Sequence, residues 1–139
     1  MYLEMIFLGC TVLAIIGWGA LVLAPIHREY CLGFARGIAL VLAVAYIAQL
    51  FLITETSGGN FNSLAGVAAL FSKAGNVMLG WTHYLAFDLF IGSWEAEDAA
   101  KHDIAHWLIV PCLALTFLFG PIGLLVYFII RTAKISMAK

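Results

Sequence analysis

Long apolar runs separated by short polar stretches dominate the chain. An α-helix needs about 20 predominantly apolar residues to cross the hydrocarbon core of a bilayer. Four runs reach that length, and we predict that each forms a transmembrane helix. Their approximate bounds are residues 2–24, 32–54, 76–94 and 104–131. The expected fold is an all-α integral membrane protein, with four transmembrane helices in one bundle that forms a single domain.

Turn residues mark the breaks in the first half of the chain. Pro25 ends the first run, and the polar, glycine-rich residues 55–60 form a loop after the second. Residues 62–73 are too few to span, and Ser63 is a suitable N-cap for a helix there. We predict a short interfacial or re-entrant helix between the second and third spans, or the start of a longer third helix.

Two features shape the second half of the chain. The polar residues 95–103 are expected to form the turn before the fourth span, with Asp103 capping the helix that follows. Within the fourth span, Pro111 and the Gly120-Pro121 pair predict a kink, because proline removes a helical hydrogen bond and clashes with the preceding turn.

Composition supports a membrane location. Hydrophobic residues make up 64% of the chain and charged residues 11%, and mean hydropathy is +1.03, whereas a soluble domain has about 25% charged residues. A net charge of −1 gives no sign of a nucleic-acid partner. The three cysteines share no short spacing and are read as small buried hydrophobic residues. The N-terminus lacks the basic region of a cleavable signal peptide.

Four spans would place both termini on the same side as residues 55–75. Positive charges favour the cytoplasmic side of a membrane. The termini side would carry Lys73, Arg131, Lys134 and Lys139, and the opposite side Arg28, Arg36 and Lys101. This small excess predicts cytoplasmic termini.

Two ionisable residues, His83 and Asp88, fall inside the third span. A charge at membrane depth costs roughly 2.5–3.5 kcal/mol on insertion scales, so such residues commonly mark functional sites. At helical spacing they are about 140° apart and cannot bond to each other within an ideal helix. They could flank one cavity or face different neighbours. Each also has a structural interpretation, His83 bonded to a backbone carbonyl and Asp88 to a Trp, a Tyr or Arg36.

The polar run after the third span offers a second possible site. If it were helical, one face would carry Glu95, Asp98, His102 and His106. Carboxylates and imidazoles at this spacing can bind zinc or iron. A polar run at a membrane edge needs no metal, however, and four histidines in the whole chain are too few for the histidine boxes of membrane oxygenases. We therefore expect no metal and keep this set as an alternative.

The residues of the second half also resemble a known family. The matching segments are Phe71-Ser72, the run Gly80-Trp81-Thr82-His83-Tyr84-Leu85-Ala86-Phe87-Asp88-Leu89-Phe90, Asp98, Pro111-Cys112-Leu113 and Gly120-Pro121-Ile122-Gly123. Over residues 60–130 this pattern resembles the abscisic-acid-deficient-four-like, or neoxanthin-synthase-like, family. Plant members are plastid membrane proteins required to form neoxanthin from violaxanthin. The chain starts at a predicted span with no apparent plastid transit peptide, which suits a bacterial or archaeal member, and we expect a location in the bacterial inner membrane.

The resemblance implies a carotenoid or related isoprenoid ligand and points to His83, Asp88, Asp98 and His106 as functional residues. A redox-neutral isomerisation needs an acid at an oxygen and a base at a carbon-bound proton. We expect His83 to be the acid and Asp88 the base, with no flavin, nicotinamide or haem. Aromatic side chains would line the polyene site: Trp81, Tyr84, Phe87, Phe90, Phe117 and Phe119.

Other function classes remain open at this point. The chain could be a non-enzymatic module that binds a carotenoid, a quinone or another lipid. It could also be a small subunit of a membrane complex, or form a homodimer whose interface completes the site. A haem anchor needs two histidines at similar depth on facing helices, and only His83 lies in the middle of a span.

Overall fold

The computed structural model describes residues 1–137, which form six α-helices. Their bounds are α1 Tyr2–Val22, α2 Arg28–Leu52, α3 Leu64–Leu70, α4 Ala74–Lys101, α5 His106–Phe119 and α6 Pro121–Met137. The all-helical prediction is confirmed for this part of the chain. The arrangement of the helices nevertheless differs from four simple crossings.

Helices α1 and α2 are long and apolar enough to cross a membrane. They contain 21 and 25 residues, with mean hydropathies of 2.3 and 2.0. At about 1.5 Å per residue, both lengths match a hydrocarbon core of about 30 Å. They correspond to the first two predicted spans and run antiparallel through a short turn that contains Pro25.

The predicted short helix between the second and third spans is present as α3. Ser63 caps it as predicted, because its side chain accepts a hydrogen bond from the Gly66 amide at 3.0 Å. Asn76 at the start of α4 holds the preceding loop in place. Its side chain bonds the backbone N–H and C=O of Glu55 and the carbonyl of Leu70, at 2.8–3.0 Å.

Helix α4 is longer than the predicted third span. Residues 95–103 were expected to form a turn, but the helix continues through Lys101 and α5 begins only at His106. The stretch remains helical because its carboxylates find partners on neighbouring helices. Glu97 pairs with Arg36 of α2, and Asp98 bonds Arg131 of α6.

The predicted capping role of Asp103 is wrong. Ala105 is the N-cap of α5, and Asp103 adopts a left-handed backbone conformation with φ of 53° in the connection. Asp and Asn tolerate this conformation better than most residues. Asp103 therefore helps the chain reverse direction between α4 and α5.

The segment predicted as the fourth span, residues 104–131, is two helices that fold back on each other. Gly120 has a φ of +48°, and Pro121 starts a new helix in another direction. The start of α5 and the end of α6 line one cavity of about 270 Å³, so the two ends of this hairpin lie together. The predicted kink is therefore a complete reversal, and α5–α6 enters and leaves at one end of the bundle.

Helix α4 is the centre of the bundle and packs against α1, α2 and α5. Small residues bring the backbones close. A methyl group added at Gly92 would lie 2.5 Å from the Trp18 ring, and one at Gly17 would lie 2.6 Å from Leu89. Close approach at small residues is typical of membrane helices. Many large apolar side chains face outwards, as expected for a lipid-facing surface.

The hairpin places the two ends of the described chain at opposite ends of the bundle. Leu3 and Phe7 of α1 share a cavity with Lys73 at the start of α4. Arg131 of α6 instead contacts Asp98 near the end of α4. This differs from the expectation that both termini share one side. Lys139, one of the charges behind that expectation, lies outside the described residues.

Candidate functional site

Two regions beside α4 combine polar groups with apolar walls. The first, which we call the groove, is a cavity of about 670 Å³ between α2, residues 54–61, the end of α3 and α4. The second is the tip of the α5–α6 hairpin, where Gly120 lies against Asp88. Of the two ionisable residues predicted inside the third span, His83 lies in the first region and Asp88 in the second.

His83 lies in the groove. Its ring centroid is 5.8 Å from that of Tyr46 on α2 and 4.6 Å from that of Phe87. The side chain is exposed and lines the cavity. A ligand in the groove would therefore reach the imidazole without rearrangement of the bundle.

The other end of the groove is polar. It is lined there by the polar residues 54–57. The apolar walls of the groove are formed by Leu50, Leu79 and Phe71. One oxygen of Glu55 accepts a hydrogen bond from the Gly75 amide at 3.1 Å, which fixes the carboxylate at this edge. The groove thus suits a molecule with an apolar body and one polar end.

Asp88 lies on another face of α4. A methyl group added at Gly120 would be 3.4 and 3.5 Å from its two carboxylate oxygens. Its Oδ2 atom is buried and has no hydrogen-bond partner within residues 1–137. Nearby, the Tyr84 hydroxyl donates to the carbonyl of Phe117 at 2.6 Å and ties α4 to the hairpin. The structure does not bring His83 and Asp88 together in one cavity.

The six predicted ligand-lining aromatics fall into two groups. Trp81, Tyr84 and Phe117 form a connected wall where α1, α4 and α5 meet. The Trp81 ring lies 5.5 Å from that of Tyr84, and its N–H donates to Thr11 at 3.0 Å. Phe87, Phe90 and Phe119 are more than half exposed on the outer surface. Only Phe87 of this second group neighbours the groove, through its contact with His83.

Asp98 and His106 lie far from both regions, near the opposite end of α4. Asp98 accepts hydrogen bonds from the Tyr127 hydroxyl and from Arg131 Nε, the latter at 2.6 Å. His106 Nε2 lies 3.1 Å from the carbonyl of Val22. Both residues join helix ends in this structure, and a catalytic role for either stays a prediction.

The alternative metal site does not assemble. Within residues 1–137, no group of three or more His, Cys, Asp and Glu side chains could hold a metal ion. Glu95 bonds Thr116, and the His102 ring bonds the Asp98 carbonyl at 2.8 Å. Asp98 and His102 therefore lie together, whereas Glu95 and His106 have their partners elsewhere.

Sequence reasoning missed several polar contacts between helices. Arg36 bonds Ser93 and Glu97, and Thr82 donates to Gln49 at 2.9 Å within the core. Thr116 binds the fully buried Glu95. The signals for these contacts in the sequence are isolated polar residues within apolar runs and the polar run that starts at residue 95, and neither identifies a partner.

Comparison with known proteins gives the family. Neither the comparison with curated proteins nor that with solved structures found a match. A family model described as ABA DEFICIENT 4-like matches residues 5–127, which include α1, α2, α3, α4 and α5 and the start of α6. This match covers most of the chain and agrees with the motif around His83 and Asp88. The chain belongs to the ABA4-like family, and together with its two long apolar helices this indicates a carotenoid-related membrane protein.

Proposed function

We propose that this protein binds a carotenoid or related isoprenoid in the groove and isomerises it without a change in redox state. The observation that carries the proposal is the position of His83, an accessible imidazole within an apolar cavity that has a polar end. Ligand pockets of about 300–1,000 Å³ with few polar groups are typical of small-molecule sites. At about 670 Å³, the groove is within that range.

The shape of the groove supports one orientation of the ligand. A ring that carries a hydroxyl or epoxide group would place its oxygen within reach of His83, on the side of the polar residues 54–57. The polyene chain would leave along the outer surface of α4, past Phe87, which is 57% exposed. The chain would then lie against lipid, so the protein needs to enclose only one end of a long molecule.

The acid and the base of the reaction can both come from the groove. His83 is the proposed acid, which donates a proton to the ligand oxygen. Asp88 was predicted as the base, but it faces the hairpin tip on another side of α4. Glu55 is the carboxylate that shares the cavity with His83. We therefore assign the removal of the carbon-bound proton to Glu55, so that one proton enters the product and one leaves it.

The test measures whether the protein and its variants form a new pigment. We would express the protein in a carotenoid-producing host and analyse its pigments by chromatography, with variants His83→Ala, Glu55→Gln and Asp88→Asn. Loss of product in the first two variants, with product retained in Asp88→Asn, is expected. Positioned acids and bases contribute about 10²–10⁴-fold to rates. His27→Ala, which removes an exposed histidine outside the groove, is the matched control.

The outcome also decides between the two possible bases. Product lost in Asp88→Asn but not in Glu55→Gln would restore the predicted His83/Asp88 pair. Normal product in His83→Ala would refute isomerisation at the groove.

A non-enzymatic role is the second candidate, and the open groove favours it. His83 and Phe87 are exposed, as suits a surface that holds a ligand rather than one that excludes water from a reaction. A bound polyene that is released by His83→Ala, together with no new pigment in the host, would support a binding module. Co-purification of a defined partner would instead support a subunit of a membrane complex.

A further inference from the structure

The face of α4 that meets the α5–α6 hairpin carries two neighbouring groups of hydrogen-bonded polar side chains. We call the two groups together the seam. One group is Glu95 of α4 with Thr116 of α5, and the other is Asp98 of α4, the C-cap residue His102, and Tyr127 and Arg131 of α6. The α4 residues are spaced three and four apart, which places them on one side of the helix. The seam includes acids, hydroxyls, an imidazole and a guanidinium, and it lies away from the groove.

Glu95 is the inner end of the seam. Its side chain is 0% exposed, and the Thr116 hydroxyl lies 2.9 and 3.1 Å from its two oxygens. No cation contacts this carboxyl within the described residues. A buried charge with one hydroxyl donor is costly, whereas a bound proton removes the charge. The burial of Glu95 therefore favours the neutral acid.

The outer end of the seam reaches the surface. Asp98 accepts hydrogen bonds from Tyr127 and Arg131, and its Oδ2 lies 3.5 Å from Nδ1 of His102. The side chains of Asp98 and His102 are 14% and 27% exposed. Water at this end of the bundle can therefore exchange protons with His102 and Asp98.

Tyr127 lies between the two ends. Thr116 and Gly123 are in close contact, since a methyl group added at Gly123 would lie 2.1 Å from the Thr116 amide nitrogen. Tyr127 follows Gly123 by four residues and so lies on the same side of α6, one turn further along. Glu95 and Asp98 are likewise one turn apart on α4. The fully buried side chain of Tyr127 therefore lies beside the turn of α4 that separates Glu95 from Asp98.

We propose that the seam is a proton path between the surface at His102 and the buried acid Glu95. Once Glu95 has released its proton, a proton taken up by Asp98 passes to the Tyr127 oxygen while Tyr127 gives its own hydroxyl proton to the Glu95 carboxylate. The reverse sequence returns it, and no oxidant or reductant is needed. Ionisable groups that face a bundle interior commonly form such relays. Besides the seam residues, the titratable groups that face Glu95 are Asp88 of α4 and Cys112 of α5.

The proposal does not depend on a ligand in the groove, so it can be tested on the full chain in detergent. Infrared spectroscopy detects the C=O stretch of a neutral carboxyl and its shift when the proton is replaced by deuterium. Glu95→Gln should remove one component of this band, and Tyr127→Phe should keep it but slow its shift in D₂O by about 100-fold. Asp88→Asn, which removes another carboxyl at membrane depth, should retain the Glu95 component.

Two further observations keep the test decisive. Glu95→Asp should restore a neutral carboxyl band if Glu95→Gln folds poorly, and Asp98→Asn should slow the exchange as Tyr127→Phe does. A carboxyl band that is identical in the wild type and Glu95→Gln would overturn the protonation of Glu95. An unchanged rate of deuterium exchange in both Tyr127→Phe and Asp98→Asn would overturn the path.

Discussion

At the scale of single residues, Gly120 is the glycine at which the α5–α6 hairpin reverses direction. Its φ of +48° is unfavourable for any residue with a side chain, and an added methyl group would lie 3.4 Å from the Asp88 carboxylate. Left-handed backbone at a residue other than glycine costs of order 1–3 kcal/mol. Gly120 therefore combines the reversal of the chain with contact to the Asp88 carboxyl, whose Oδ2 atom is buried.

We expect Gly120→Ala to destabilise the protein by about 1–2 kcal/mol, because the new side chain would be held in a left-handed conformation. Thermal unfolding in detergent, followed by circular dichroism, measures the effect. Gly9→Ala is the control, since Gly9 is helical with open space around it, and it should gain up to about 1 kcal/mol. Equal stabilities for the two variants would show that the reversal at Gly120 does not need glycine.

Thr116 gives a second prediction at this scale. Replacement by valine keeps the size of the side chain but removes the hydrogen-bond partner of Glu95. An unsatisfied buried polar group costs about 1–3 kcal/mol, so we expect Thr116→Val to lower the free energy of unfolding by that amount. The control Thr132→Val changes an exposed threonine of α6 and should be nearly neutral. Similar values for both variants would argue against the Glu95–Thr116 contact.

At the scale of elements, the hairpin is held to α4 by Asp98, Tyr127 and Arg131. The Asp98–Arg131 pair is largely buried, with side-chain exposures of 14% and 28%. It also shares its acceptor with Tyr127, so it belongs to a network rather than to an isolated surface pair. Networks of this kind couple more strongly than exposed ion pairs.

A double-mutant cycle with Asp98→Asn and Arg131→Gln tests this docking. We expect the two changes to be non-additive in thermal or denaturant unfolding, because both side chains belong to one hydrogen-bonded group with Tyr127. The same cycle on the more exposed pair Glu97 and Lys101 should give at most about 0.5 kcal/mol. Additive effects at Asp98 and Arg131 would contradict a hairpin docked through this pair.

The sequence predicts the elements that depend on local contacts better than those that depend on contacts between distant residues. The start of α3 was predictable because the contact of Ser63 with Gly66 is local. The continuation of α4 through residues 95–101 was not, since it depends on Arg36 and Arg131, which are distant in sequence. A Gly-Pro pair allows a kink as well as a reversal, and only contacts with α4 select between them. His83 and Asp88 were identified by their depth, but the faces they occupy depend on α2 and α5.

At the scale of the whole molecule, the hairpin changes the distribution of positive charge. The end that contains the α4–α5 connection carries Arg28, Arg36, Lys101, Arg131 and Lys134, and of the described Lys and Arg residues only Lys73 lies at the other end. Positively charged residues favour the cytoplasmic side. We therefore expect the end with the α4–α5 connection to be cytoplasmic and the N-terminus to face the opposite compartment, unlike the expectation for four simple spans.

Single cysteines at three exposed positions test this arrangement. After replacement of the native cysteines, Asn62→Cys should react with a membrane-impermeant maleimide in intact bacterial cells that express the protein. Lys101→Cys and Thr132→Cys should react only after permeabilisation. Labelling of Thr132→Cys from the same side as Asn62→Cys would mean that residues 106–137 cross the membrane and would contradict the hairpin.

The depth of the hairpin has a consequence for the surrounding bilayer. Its tip at Gly120 reaches Asp88, close to the middle of α4, and then turns back. With α1, α2 and α4 across a bilayer, one leaflet would accommodate five helical segments, whereas the other would meet only α1, α2 and α4 with the short α3. This arrangement would give the protein the cross-section of a wedge. In a curved membrane the lipids of the outer, convex leaflet are spread apart. We expect the protein to concentrate where the leaflet around α5–α6 is the convex one, because the extra helices would fill that space.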